Sequence, residues 1–348
     1  MRAVRFHGRE DIRVEDVPEP VPEPDQVLLD NAYTGVCGTD LHVYFTPESS
    51  GFDFSTPDEL TGASLPQVLG HEFSGTVRAV GERVTSVAAG DRVAVWPLVS
   101  CGRCVACRRG LPHGCRRLAC QGVSSPGGGM STSTTVPASR VFPLPAGVDL
   151  RTGALVEPMA TSWHAVRRSG VRAGQSVLVL GAGPTGIGLW FALREHGVDR
   201  VVVSEPVDDR RAALEALGAH VVDASPAVVA HAVEELTDGE GVDVAFDAAG
   251  VGAAVGTGIG HLAPQGVLTV VALHERGFDF NPTPAVFAEN TIIGSIAYEA
   301  RDFEEVLDAM GRGAYDLTGW VETVGFDELA GALVDLRAGR RLKVLVAS

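Results

Sequence analysis

One turn constrains this chain more than any other feature. Gly181-x-Gly183-x-x-Gly186 follows the apolar run Ser176–Leu180 and opens an apolar helical stretch, and Glu205 closes the next strand 24 residues after the first glycine. A glycine-rich turn alone carries little information, but between a strand and a helix it is the geometry that cradles a pyrophosphate. The glycines let the backbone come close, N–H groups at the helix start face the anion, and the carboxylate accepts from ribose hydroxyls. The runs Val177–Leu180, Val201–Val203, Val221–Val222, Val242–Phe246 and Val267–Val271 alternate with helical stretches. Such alternation demands right-handed crossovers, hence an α/β fold with a doubly wound parallel sheet. The candidate dinucleotide contacts are Gly181, Gly183, Pro184, Thr185, Gly186, Glu205 and Arg210. Glu205 would repel a 2′-phosphate, which favours NAD over NADP. Arg210 and Arg211 weaken that preference slightly, unless they form a solvated helix start.

Upstream the texture differs. Residues 1 to about 155 hold short apolar runs such as Gln26–Leu29, Phe73–Val77 and Asp91–Val95, separated by turn signals, and read as an all-β unit. With 348 residues the chain is long enough for two domains. Four of its six cysteines crowd into Cys101-x-x-Cys104-x-x-Cys107 and Cys115. Four soft ligands so close together suit a closed, structural zinc site, in a small lobe at 98–118 that lacks a core of its own. Arg108, Arg109, Arg116 and Arg117 read as that lobe's solvated face.

Cys37 and the pair His71-Glu72 are less specific, since a lone cysteine or histidine at a strand end is often simply packed. Together they offer a thiolate, an imidazole and a carboxylate, three ligands that leave zinc's fourth position open. Glu157 is a further candidate, or else a helix N-terminal charge complementing the dipole. The balance of 28 basic and 44 acidic residues gives −16, which repels nucleic acid and anionic lipid and points to a small-molecule ligand. Gln175–Leu193 carries no charge, but its glycine-proline interruption argues against a membrane span. The charged first ten residues do not read as a secretory signal, so a cytoplasmic enzyme is expected. Val156–Gly170 is predicted helical. Helices at Phe303–Met310 and Asp327–Arg337 and a strand at Val344–Val346 are predicted to return to the first domain. The divisions expected are therefore 1–157, 158–293 and 294–348. Ser124–Thr135, rich in Gly, Ser and Thr, reads as a loop or a poorly anchored strand.

With these motifs in this order, the chain resembles the zinc-dependent medium-chain dehydrogenase/reductase (alcohol dehydrogenase) family along essentially its whole length. Within that family it looks most like the 2,3-butanediol dehydrogenases. The strings that carry the likeness include Leu60–Pro66 before Gly70-His71-Glu72, Ala154–Pro158, Trp163–Val166, Val203–Pro206 and Gly241–Val251. The resemblance implies a GroES-like β domain joined to a Rossmann domain, and homodimers or homotetramers. It implies a catalytic zinc on Cys37, His71 and Glu72, with Glu157 near it, and a second zinc on Cys101, Cys104, Cys107 and Cys115. It further implies that Thr39 bonds the substrate oxygen, that His42 passes on the proton, and that Lys343 lies near the pyrophosphate.

Three features depart from the family pattern. Thr185 stands where an apolar residue usually backs the nicotinamide, small polar residues replace an aromatic-bearing strand at 130–135, and Leu273-His274 replaces a bulkier pair ending in Trp. The implied function is hydride transfer between NAD(H) and a secondary alcohol or vicinal diol, such as 2,3-butanediol, or its hydroxyketone. The alternatives are a sorbitol-, threonine- or amino-sugar-type polyol dehydrogenase, or a catalytically idle NAD- and zinc-binding redox sensor.

Overall fold

The computed structural model describes Met1–Ser348 and divides into two compact units: Met1–Glu157 with Glu299–Arg312 and Val321–Ser348, and Pro158–Tyr298 with Gly313–Trp320. The return to the first unit thus begins at Glu299 and not at residue 294, and Gly313–Trp320 belongs to the second. The strands of the first unit are β1 (Arg2–Gly8), β2 (Asp11–Asp16), β3 (Gln26–Gly35), β4 (Gln67–Val68), β5 (Glu72–Val80), β6 (Arg92–Val95), β7 (Leu98–Val99), β8 (Ala119–Cys120), β9 (Ser133–Pro137) and β10 (Val141–Pro143). Its largest sheet runs β10-β6-β5-β3 and is completed by the chain's last two strands. Val27, Leu29, Phe73, Val77, Val93, Val95, Val136 and Val141 form one of its cores. The β-branched and aromatic content of these runs suits such a half-buried pleated surface.

The reading of 124–135 divides at β9: residues 124–132 form turns and loop, as expected, and the strand begins at Ser133. Far from being poorly anchored, it pairs antiparallel with β3 from Gln26↔Pro137 to Asp30↔Ser133. The buried Asn31 amide donates to the Ser131 carbonyl at 2.8 Å. In the loop before β9 small residues are required, because a Cβ on Gly128 would lie 2.2 Å from the Leu69 carbonyl oxygen, and one on Gly129 would strike the Phe73 ring.

The second unit contains β11 (Ser176–Leu180), β12 (Arg200–Ser204), β13 (His220–Val222), β14 (Val242–Asp247), β15 (Leu262–Val270) and β16 (Thr291–Gly294). They form one sheet in the order β13-β12-β11-β14-β15-β16, every pair parallel. All five residues of β11 are buried. That explains its continuous apolar run, since a central parallel strand is covered on both faces. The helix Val156–Ser169 carries the chain into this unit. β17 (Val321–Gly325) and β18 (Lys343–Ala347) then rejoin the first unit's sheet, β18 running antiparallel to β3 with Leu345 opposite Gly35. No helix is long and apolar enough to cross a membrane.

Candidate active site

Sheet register assembles the first cluster. β3 and β5 pair with Gly35 opposite Glu72. This brings Cys37, two residues beyond the strand, beside His71 and Glu72, and one ligand atom from each of the three lies within 4.8 Å of the others. Gly70 makes the sharp approach with φ of +95°, and a Cβ there would sit 2.5 Å from Thr34 and 2.8 Å from Met130. Cys37 also caps the helix Gly38–Phe45, its N–H donating to Asp40 Oδ2 at 2.8 Å.

Asp40 was not anticipated from the sequence. Only 1% exposed, it holds Oδ1 3.7 Å from His71 Nδ1. At that distance the two atoms are not hydrogen-bonded, and Asp40 acts on the imidazole through its charge. The Cys37-x-x-Asp40 spacing, a helix-capping pattern, was the available signal. Burial disfavours charge on His71, yet Asp40, Cys120 and Cys37 outweigh it and hold the imidazole pKa well above the ordinary value. Cys120 is a second unanticipated neighbour, its thiol pushed up to about 12 by burial.

Lys343 requires a correction. Expected beside a pyrophosphate, it is 2% exposed, and its ammonium donates to the Glu72 carboxylate and, at 2.9 Å, to the Val36 carbonyl. The carboxylate oxygen it contacts is Oε2; the other, Oε1, is buried without a partner. A thiolate, an imidazole and an orphaned carboxylate oxygen fit zinc, with room for one more ligand. Gly35 is indispensable to this arrangement, since a Cβ there would sit 1.9 Å from Glu72 Oε2. Thr39 Oγ1 lies 3.7 Å from Cys37 Sγ, and His42 follows three residues later on the same helix. Glu157, 8% exposed, opens the helix Val156–Ser169 and contributes to the field at Cys120 and Lys343.

The second cluster is separate. Cys104 Sγ lies 3.5 Å from Cys107 Sγ and 3.8 Å from Cys115 Sγ, and Cys115 lies 3.5 Å from Cys101. A tetrahedral ion with Zn–S bonds of about 2.3 Å has sulfur–sulfur edges of about 3.8 Å. The Cys115 sulfur also accepts from the N–H groups of Cys101 and Arg117, both at 3.3 Å. Arg108, Arg109, Arg116 and Arg117 are exposed, the solvated face expected.

In the second unit, Gly181, Gly183, Glu205, Arg210, Ala249 and Thr257 are among the residues lining a cavity of about 310 Å³. Gly183 caps the helix Pro184–Glu195, with Pro184 in its first turn. Gly186 packs so tightly that a Cβ would lie 1.9 Å from the Gly181 carbonyl oxygen. Glu205 is 3% exposed; Oε2 accepts from Ala182 N at 2.8 Å and Oε1 from Val207 N at 3.0 Å. Arg211 is committed to the Glu205 carbonyl, Asp208 and Asp223, whereas Arg210 keeps a buried, unpartnered Nε beside the cavity. Thr185 sits on the helix's first turn with its carbonyl accepting from Ser162 Oγ at 3.0 Å. The glycine turn, the buried carboxylate and the cavity fit a dinucleotide.

Comparison with known proteins agrees with this geometry. Residues 23–146 match the alcohol dehydrogenase GroES-like domain and residues 184–312 the zinc-binding dehydrogenase domain. A 2-dehydro-3-deoxy-L-galactonate 5-dehydrogenase of Pseudoalteromonas atlantica is 35% identical, over 93% of this chain and 91% of its own. An (R,R)-butanediol dehydrogenase of Bacillus subtilis is 34% identical over 99% of both chains. The crystal structure of 2R,3R-butanediol dehydrogenase from B. subtilis superposes with a TM-score of 0.91 at 33% identity, covering 100% of this chain and 99% of the other. The chain therefore belongs to the zinc-dependent alcohol dehydrogenase family, as a GroES-like unit joined to a Rossmann-type dinucleotide-binding unit.

Proposed function

We propose that this chain is an NAD-dependent dehydrogenase that oxidises a secondary alcohol of a vicinal diol, with 2,3-butanediol and acetoin as the model pair, or runs the reverse reduction. The observation that carries the reading is the Cys37–His71–Glu72 cluster with one carboxylate oxygen left over. Zinc, when bound there, supplies a Lewis acid that polarises a substrate oxygen and eases loss of its proton. Thr39 Oγ1 receives the hydrogen bond of the reacting hydroxyl, and His42, one helical turn on, releases the proton to solvent. Glu157 accepts from the second hydroxyl of a diol. Glu205 accepts from the adenosine ribose, and its charge disfavours a 2′-phosphate, which sets the preference for NAD. The free cysteines suit a cytoplasmic, reducing setting.

We further infer self-association along β16. This strand closes one edge of the six-stranded sheet, and Ile292 on it and Val286 and Phe287 just before it are exposed. An uncovered apolar edge is a template for a second copy. Light scattering should give a dimer or tetramer, and a monomer at micromolar concentration would refute it.

The relative that acts on a sugar acid favours a second reading, a polyol- or aldonate-type substrate. Initial rates of NAD reduction with butanediol stereoisomers, sorbitol, threonine and galactonate, measured side by side, separate the two. Activity confined to the last three would overturn the diol assignment. Failure of every alcohol, with one zinc per chain, would favour an idle binding protein.

A further inference from the structure

The second unit contains a buried acid–imidazole pair that the reading above leaves unused. Asp247, the last residue of β14, is fully buried. Its Oδ1 accepts from the N–H groups of Ala249 and Gly250, both at 3.0 Å, and its Oδ2 lies 2.7 Å from Nε2 of His274. His274 stands four residues beyond β15, its side chain 17% exposed and its ring 5.2 Å from that of Phe278. The remaining ring nitrogen, Nδ1, is buried and has no partner.

These contacts bear on what Nδ1 can do. With Nε2–H donating to the Asp247 carboxylate, Nδ1 of a neutral imidazole is left as an acceptor. A buried acceptor without a donor is costly, and such an atom invites a ligand. Its place in the sheet says which. Strand order reverses between β11 and β14, and ligands of doubly wound sheets lie beyond the carboxyl ends of the strands at that point. The β11–β13 half carries Glu205 for the adenosine side. Asp247 and His274 stand at the carboxyl ends of β14 and β15, in the half that takes the other nucleotide. The turn following Asp247 also abuts the glycine turn, since a Cβ on Gly181 would lie 3.2 Å from Ala249 N.

We propose that Asp247 and His274 form an acceptor site for the nicotinamide half of the dinucleotide, with His274 Nδ1 taking a hydrogen bond from the carboxamide N–H or from a hydroxyl of the adjoining ribose. His274 makes the contact, and Asp247 is a positioning residue that selects the tautomer. This rests on the dinucleotide reading of the unit.

The test is calorimetric binding of NAD, ADP-ribose and ADP to the full chain and two variants. His274→Phe keeps an aromatic ring against Phe278 and removes Nδ1. Asp247→Asn keeps an oxygen on the Ala249 and Gly250 N–H groups and turns an NH2 towards Nε2, which must then accept, so Nδ1 becomes a donor. Both variants should bind NAD about tenfold more weakly and ADP within twofold of the parent, ADP binding showing that the unit is folded. A loss for NAD alone identifies the carboxamide as the donor; a matching loss for ADP-ribose identifies the ribose. Unchanged NAD affinity in either folded variant, or an equal loss for ADP, overturns the proposal. If the parent binds none of the three, the dinucleotide reading itself fails.

Discussion

Lys343→Met tests the electrostatic frame of the metal cluster. The ammonium and the Glu72 carboxylate are 2% and 1% exposed, so solvent cannot stabilise whichever charge is left behind. Removing one partner of a buried pair costs roughly 3–5 kcal/mol, whereas replacing both by apolar groups is often near neutral. For a unit of this size each kcal/mol moves the midpoint by roughly 2–4 °C. The metal-free variant should therefore melt about 6–20 °C below the parent in its first-unit transition by scanning calorimetry. Zinc should narrow the gap, because a cation beside Oε1 replaces the lost ammonium. Lys343→Met combined with Glu72→Leu should recover most of the stability while losing the site's zinc. A single variant melting within about 2 °C of the metal-free parent would refute the reasoning, as would a double variant no more stable than the single.

His71→Ala should abolish turnover while unfolding stays cooperative and elemental analysis still finds the zinc of the four-cysteine lobe. Cys104→Ser should lower zinc content by one per chain and destabilise that lobe; the thiol it removes is held down to about 6 by N–H bonds from Cys107 and Arg116. Undiminished zinc would count against the structural site. Gly186→Ala places a methyl where the Gly181 carbonyl oxygen already lies, so NAD binding by titration should disappear while zinc content is unchanged.

The second unit was largely legible because its signals are local. Strand and helix lengths, the glycine turn and Glu205 follow one another within some thirty residues, and a parallel sheet is the one economical way to connect them. The lobe of Cys101, Cys104, Cys107 and Cys115 was legible for the same reason. Within 124–135 the loop reading holds up to residue 132, but its small residues hid how firmly the stretch is anchored. They are small because Gly128 and Gly129 press on Leu69 and Phe73, which only packing reveals.

The sequence by itself determined the chemistry on offer: the turn for a dinucleotide, four clustered thiols, and a thiol, an imidazole and a carboxylate able to hold a second ion. Tertiary structure alone decided how those groups are poised. Lys343 meets Glu72 across 271 positions, and His274 meets Asp247 across 27, because strand register brings them together. Motif spacing encodes only what neighbouring residues can do, whereas the charge state of a buried group is set by partners that arrive from elsewhere in the chain.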